Sequence, residues 1–334
     1  MKLKTDKDEI IEIEDNPFCI GGQAGIHRLV NSQSKGELVA KIFFAKTFFN
    51  KSNSNVDNMK LDLVKNKIEF LVNNPPYEKG EQSIQDAFAW PLDILLDENN
   101  QFKGFLLPYN DSIDLLRIIG NRKLLSPWEK FKSKNPNSFL YRLKICYNIS
   151  RLLTQIHSRG LYTMVDLKPE NILLKENGLV SYIDVDSIQI AKSNSILFHA
   201  DVYTPEYSPA EFHNKKVDFK NDVIDQAWDL FSFGVLTYQL LFEIHPFAGM
   251  NHKINPNIHT VDDFIAGGFF ARGSEKNNLD LAPPHFDFDK KLSDDLKNLF
   301  FECFVSGHNN PKLRPTAKSW SEGLRKEIEK NPKI

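Results

Sequence analysis

The alternation of apolar and polar positions divides the chain into a strand-rich first third and a helix-rich remainder. Residues 9–14 alternate acid and isoleucine, the period of a half-exposed strand. Residues 37–43 read as a buried strand with one lysine, Lys41, inside it; residues 87–96 and 102–107 read as two apolar strands around a turn at Asp97, Glu98, Asn99 and Asn100. Among these strands, Leu61, Val64, Ile68, Leu71 and Val72 recur at helical spacing over residues 59–73, and Pro75 and Pro76 stop the helix. Beyond Ser112 the helical period takes over. Leu140, Leu143, Cys146, Ile149, Leu153 and Ile156 predict a long core helix ending before Gly160. Residues 172–174 and 180–183 predict a hairpin turning at Glu176, Asn177 and Gly178, and residues 225–242 a central buried helix. Residues 251–284 are polar with one short helix at 261–265, and residues 292–305 and 317–328 are closing helices.

Composition narrows the function classes. With 334 residues, 41% apolar and 12% aromatic, the chain can bury a large core as one bilobed unit or two domains. A formal net charge of −2 gives no electrostatic reason to expect a nucleic acid or a membrane as partner. Cys19, Cys146 and Cys303 are far apart and have no histidine at ligand spacing, so neither a zinc site nor a disulfide framework is expected, and a reducing compartment fits best. The first residues lack an apolar core of signal-peptide length, and the apolar run around residues 230–242 is too short to span a bilayer. The expectation is a soluble, cytoplasmic protein.

The candidate chemistry lies in three places. Gly21, Gly22 and Gly25 sit in a turn between two predicted strands, where backbone N–H groups can approach a phosphate; a tight hairpin without a ligand would use the same glycines. Lys41 is costly to desolvate in its apolar strand unless an anion meets it. Asp166, Lys168 and Asn171 fall within the run Asp-Leu-Lys-Pro-Glu-Asn, and Asp184 follows Asn171 by 13 residues. Three oxygen-bearing side chains and an ammonium at such fixed separations suit transfer of a metal-bound phosphoryl group.

The run 166–171 resembles the catalytic loop of eukaryotic-type serine/threonine protein kinases at every position. The resemblance extends over about residues 18–320 and implies an α+β, bilobed protein kinase-like fold, with residues 1–109 as a β-rich N-lobe, 110–334 as a helical C-lobe and ATP in the cleft. It implies Asp166 as the base for the attacking hydroxyl, Lys168 on the transferring phosphate, Asn171 and Asp184 as Mg²⁺ ligands, and Lys41 on the α and β phosphates. Gly22 and Gly25 fall on the second and third glycines of the kinase loop, with Ile20 at the first. Leu107 would line the back of the adenine pocket, the Pro108 carbonyl would accept from adenine and the Asn110 N–H would donate to it. The helix at 59–73 would carry an acid paired with Lys41; Glu69 is the candidate, with Asp62 on the same face. The segment 204–211 resembles the substrate-platform anchor, Thr204 contacting the catalytic loop and Glu211 pairing with Arg314; Asp229 would tie down the catalytic-loop backbone.

Two departures are visible. Met164 and Val165 stand where His-Arg usually precedes the catalytic aspartate, which removes the basic partner of an activation-loop phosphate. Asp184-Val185-Asp186-Ser187 stands where the family has Asp-Phe-Gly; Asp186, two residues on along an extended segment, could assist Asp184, and losing the glycine should stiffen the segment. Together with the glycine turn and the Trp90 to Asp93 segment, this resembles a bacterial branch of the superfamily. The implied function is ATP- and Mg²⁺-dependent phosphorylation of Ser/Thr hydroxyls on a protein substrate. The alternatives are a pseudokinase that binds ATP or acts as a scaffold, and a small-molecule phosphotransferase.

Overall fold

The structure is a computed structural model that describes residues 1–30, 38–44, 54–78, 87–109, 111–120, 123–215 and 217–331, with the backbone alone for 54–59. It divides into two compact units, Met1–Asp111 with Ser181–Asp186, and Ser112–Val180 with Ser187–Ile334.

The first unit is built on a seven-stranded sheet. Its strands are β1 (Lys2–Lys4), β2 (Ile10–Glu12), β3 (Cys19–Ile20), β4 (Ala24–Arg28), β5 (Leu38–Phe43), β6 (Asp93–Leu96) and β7 (Phe102–Pro108), in the order β2-β1-β6-β7-β5-β4-β3. The acid and isoleucine alternation is realised in β2, where Ile11 is buried and Ile10 and Glu12 are exposed. β1 was not expected, because its Lys-Leu-Lys pattern is too short to show a period; it pairs with β2 and sends Leu3 into a core with Ile11, Ile13, Ala40, Leu95 and Leu106. β5 lies between β4 and β7, with Lys41 opposite Ile26 on one side and Phe105 on the other. A side chain at Gly104 of β7 would overlap the Lys41 backbone carbonyl, so glycine is what lets these strands close up.

Helix α1 (Ser54–Asn73) begins earlier than its apolar stripe and packs on β6 and β7. Ile68 and Leu71 are its fully buried positions, and the Trp90 indole N–H donates to the Leu71 carbonyl at 2.7 Å. Only Asp93–Leu96 of the expected strand 87–96 forms a regular strand, since Pro91 cannot donate to a ladder. Phe88 instead makes an isolated parallel bridge with Tyr182, and the Ala89 N–H donates to the Tyr182 carbonyl at 2.8 Å.

The second unit is mainly helical. Its longer helices are α2 (Ser138–Ser158), α3 (Ala227–Phe242), α4 (Asp294–Phe301), which runs into a π-helical turn at Glu302–Ser306, and α5 (Ala317–Lys330). Every residue of α3 except Gln239 is buried, as its mostly apolar sequence on all sides requires, with Asp229, Ser232 and Thr237 buried among the apolar residues. Trp320 of α5 meets Phe233 of α3 and Phe300 of α4 edge-on, which locks the three helices through ring contacts. Short strands β8 (Ile113–Asp114) and β10 (Ile172–Leu174) pair antiparallel; β9 (Tyr162–Thr163) pairs with β12 (Gln189–Lys192), which turns back into β13 (Ser195–Phe198). β11 (Val180–Tyr182) leads the chain into the first unit. The polar stretch 251–284 contains, besides the expected short helix Val261–Ala266, a pairing of β14 (Met250–His252) with β15 (Leu279–Leu281) that its composition concealed.

All three cysteines are free. Cys19 is exposed on β3, whereas burial pushes the thiols of Cys146 and Cys303 up to about 12. Among the described residues no helix is long and apolar enough to cross a membrane.

Candidate active site

In the first unit, β5 delivers Lys41 to two carboxylates. Its ammonium donates to Asp184 Oδ1 at 2.7 Å and to Asp186 Oδ1 and Oδ2 at 2.7 and 2.8 Å. The two acids converge for a reason the sequence did not reveal. The segment is not extended; Asp184 takes φ +60° and a 3₁₀ turn covers Val185–Ser187, so the chain curls around the ammonium while Val185 is buried. Burial would pull the Lys41 ammonium down, but Asp186 and Asp184 outweigh it and hold the lysine above its ordinary range. Burial pushes the Asp186 carboxyl up, Lys41 draws it down and Asp184 pushes it up again, for a net rise. The directions agree: one ammonium between two carboxylates stays charged, and the more buried acid resists a second negative charge beside it.

Glu69, expected on Lys41, is elsewhere: its carboxylate lies 3.5 Å from Lys65 Nζ, one turn back on α1, at a partly exposed site. Asp62 is exposed on the same helix. The Lys41 partners among the described residues are the two aspartates, because the 184–186 turn brings acids to the lysine that α1 does not.

The glycine turn is a tight hairpin. Ile20 pairs with Gly25, and the Gly21 N–H donates to the Ala24 carbonyl at 2.9 Å. Neither Gly21 nor Gly22 has positive φ; a Cβ at Gly22 would meet nothing within 4 Å and one at Gly21 only an ordinary contact. The hairpin therefore does not itself demand those two glycines. Gly25 differs, since a side chain there would press on the Pro17 ring at 2.9 Å. Leu107 is buried in β7 opposite Val39, and Pro108 ends that strand opposite Leu38. Asn110 lies outside the described residues.

In the second unit, Asp166 is the centre of a small polar network and is 3% exposed. Its Oδ1 accepts from the Thr204 hydroxyl at 2.6 Å; Lys168 Nζ lies 2.7 Å from Oδ2 and donates to the Thr204 hydroxyl at 2.8 Å. Asn171 Nδ2 donates to the Asp166 carbonyl at 2.9 Å and to Oδ2 at 3.1 Å. The backbone before Asp166 is strained. Val165 has φ +62°, and the Asp166 N–H reaches back to the Met164 carbonyl at 2.7 Å, a tight turn that a β-branched residue resists.

The support for that turn comes from α3. Asp229, fully buried, accepts from the N–H groups of Met164 and Val165 at 2.8 and 2.9 Å and from His157 Nε2 at 2.9 Å. The neighbouring Trp228 indole donates to the Val165 carbonyl at 2.9 Å. Glu211 and Arg314 pair through both arms of the guanidinium, at 2.6 and 2.7 Å, and the same arginine donates to the Ala227 carbonyl at 3.0 Å. Sequence reasoning missed two contributors: Gly104, whose place beside Lys41 shows only once the strands are paired, and Asp186 as a partner of Lys41.

The protein kinase domain family matches residues 105–323 of the chain. CBL-interacting serine/threonine-protein kinase 20 of Arabidopsis thaliana is 37% identical over 158 residues, 47% of this chain and 35% of that protein. Serine/threonine-protein kinase AtPK1/AtPK6 of the same plant is 24% identical over 259 residues, 76% of this chain and 50% of that one. The chain thus spans half or less of the length of these relatives. Among solved structures, a ROP18 kinase domain in complex with AMP-PNP and sucrose shares the fold with a TM-score of 0.63 at 14% identity, covering 99% of this chain and 85% of that one. A match that takes in the Asp166 network, α3 and Arg314, on a shared α+β fold, leaves one assignment: the chain belongs to the protein kinase domain family.

Proposed function

We propose that this protein transfers the terminal phosphoryl group of ATP to a serine or threonine hydroxyl of a protein substrate, with Mg²⁺ as cofactor. The observation that carries the reading is that the Asp166 carboxylate already accepts a hydrogen bond from a hydroxyl, that of Thr204, at 2.6 Å. A substrate hydroxyl is the same chemical group. In the reaction its oxygen bonds to the γ-phosphorus, the bond to the β–γ bridging oxygen breaks, ADP leaves, and the hydroxyl proton passes to Asp166. Lys168, held against both Asp166 and Thr204, balances the phosphoryl charge.

The residues fit the metal. Asn171 commits its Nδ2 to Asp166, which leaves Oδ1 as its remaining polar atom, and Asp184 supplies a carboxylate; both are the hard oxygen donors that Mg²⁺ takes. When bound, the ion neutralises charge on the phosphate oxygens. On this reading residues 1–109 serve as the nucleotide-binding lobe, with Gly21, Gly22 and Gly25 covering the phosphates, Lys41 pairing with them, and Leu107, the Pro108 carbonyl and Asn110 taking the adenine. Residues 110–334 supply the transfer machinery. The open space at Gly22 supports the first of these roles. The solved kinase domain that shares the fold was bound to AMP-PNP, which supports the nucleotide. We read residues 21–25, 90–93 and 184–187 as the marks of a bacterial branch of the superfamily, and the cysteine pattern as that of a cytoplasmic protein.

A second reading, nucleotide binding without transfer, draws on Asp186 standing in place of the expected glycine and on Lys41 being engaged by two acids. Incubation with γ-labelled ATP, Mg²⁺ and a generic protein acceptor separates the two. Label on Ser or Thr from the native chain, absent with Asp166→Asn and with Asp184→Ala, supports transfer; binding of ATP with no label moved supports the second reading.

A further inference from the structure

We propose that Asp186 is the positioning residue for Lys41: it holds the lysine ammonium for the nucleotide phosphates, the part expected of an acid on α1, and so separates Lys41 from that helix. The inference rests on the proposed nucleotide role of Lys41. Three observations carry it.

First, Asp186 meets the ammonium with both oxygens, at 2.7 and 2.8 Å, whereas Asp184 meets it through Oδ1 at 2.7 Å. Second, the two acids differ in access. The Asp186 side chain is 13% exposed, as is that of Lys41, while Asp184 is 36% exposed. The more open carboxylate suits an incoming cation, and the enclosed one suits a permanent partner. If Asp184 turns to a metal ion, Asp186 still holds Lys41 in place. Third, Glu69 of α1 is engaged with Lys65 at 3.5 Å and is 40% exposed. The acid that orients the lysine therefore lies on the same short turn as the acid proposed for the metal. One curled segment, Asp184 at φ +60° followed by the 3₁₀ turn, sets both.

The test uses the full chain and four variants, Asp186→Asn, Asp186→Glu, Asp184→Asn and Glu69→Gln, each first checked for an unchanged melting temperature. With Asp186→Asn the KM for ATP rises, and binding of a fluorescent ATP analogue weakens, by about tenfold to a hundredfold, the effect of losing a charge-assisted hydrogen bond. The Mg²⁺ concentration for half-maximal rate stays where it is. Asp186→Glu recovers part of the loss by restoring the charge, and Glu69→Gln changes nothing. Asp184→Asn acts mainly on the Mg²⁺ dependence. An independent measurement needs no turnover: acetic anhydride at fixed pH, with peptide mapping, labels Lys41 several-fold faster in Asp186→Asn than in the native chain or in Glu69→Gln.

Native-like KM and labelling in Asp186→Asn would overturn the proposal, as would a Glu69→Gln variant that reproduces the defect. A loss confined to Mg²⁺ dependence would overturn it too, by making Asp186 a metal ligand. If the native chain moves no label from ATP, the transfer reading fails, while analogue binding and Lys41 labelling still decide the role of Asp186.

Discussion

Gly104 and Gly22 show how differently two glycines near the proposed nucleotide site can matter. An alanine at Gly104 forces β7 against the Lys41 carbonyl, backbone on backbone, with no flexible side chain to yield. Gly104→Ala should destabilise the protein by about 1–3 kcal/mol and raise the KM for ATP, through displacement of β5. Gly22→Ala should shift stability by no more than about 0.5 kcal/mol, since its Cβ meets open space, yet still weaken ATP binding. Thermal melts and ATP titrations of the two variants check both statements. At this scale the sequence disclosed the residues whose spacing is local. Asp166, Lys168 and Asn171 sit within six positions, and the structure joins Lys168 and Asn171 to Asp166, with Thr204 contacting the loop as the resemblance implied. It did not disclose the partner of Lys41, because Asp186 is 145 positions away and reaches the lysine only through a left-handed residue that no composition rule anticipates.

Among the elements, residues 187–211 and the loop before Asp166 are held by packing and buried hydrogen bonds. β12 and β13 form a hairpin whose turn residues Ser193 and Asn194 both have positive φ, and Tyr203 beyond it stacks on Phe219 at 4.6 Å. With Val165 where an arginine would receive a phosphate, this order needs no added charge. Exhaustive phosphatase treatment should therefore leave the transfer rate within about twofold of the untreated chain, as measured with labelled ATP. The Glu211 and Arg314 pair anchors the end of the same segment: Arg314→Met leaves a carboxylate without its fork and should cost roughly 3–5 kcal/mol in urea denaturation. Long elements such as α2 and α3 were legible because many turns repeat one pattern. β1, β14 and β15 were not, since three residues carry no measurable period and their pairing partners come from distant chain.

For the whole molecule, two buried histidines tie stability to pH. His245 gives Nε2–H to the Glu206 carbonyl at 3.0 Å and accepts the Phe247 N–H on Nδ1 at 3.2 Å; His285 gives Nε2–H to the Ala248 carbonyl and accepts the Tyr238 hydroxyl on Nδ1, both at 2.8 Å. Each ring works only when neutral. Burial lowers both, His245 to about 4, so the unfolded chain binds protons that the folded one refuses. Their contribution is complete above about pH 6.5 and drains away as pH falls through about 4, with His245 alone worth on the order of 3 kcal/mol. Urea midpoints should drop steeply from pH 6.5 to 4, and His245→Gln should flatten that slope. The family match begins at residue 105, which leaves most of the first unit to be read from strands and isolated motifs. The second unit was the more legible part because its long helices repeat one pattern and its 166–171 run is local in sequence.

The contrast among the cysteines has a practical outcome. Two sulfhydryls are sealed inside the second unit and suppressed as nucleophiles, while Cys19 stands in solvent two residues before Gly21. A maleimide dye mixed with the unaltered chain at neutral pH attaches at that position. The wild-type sequence thus comes ready for fluorescence readout beside the glycine hairpin, without engineering.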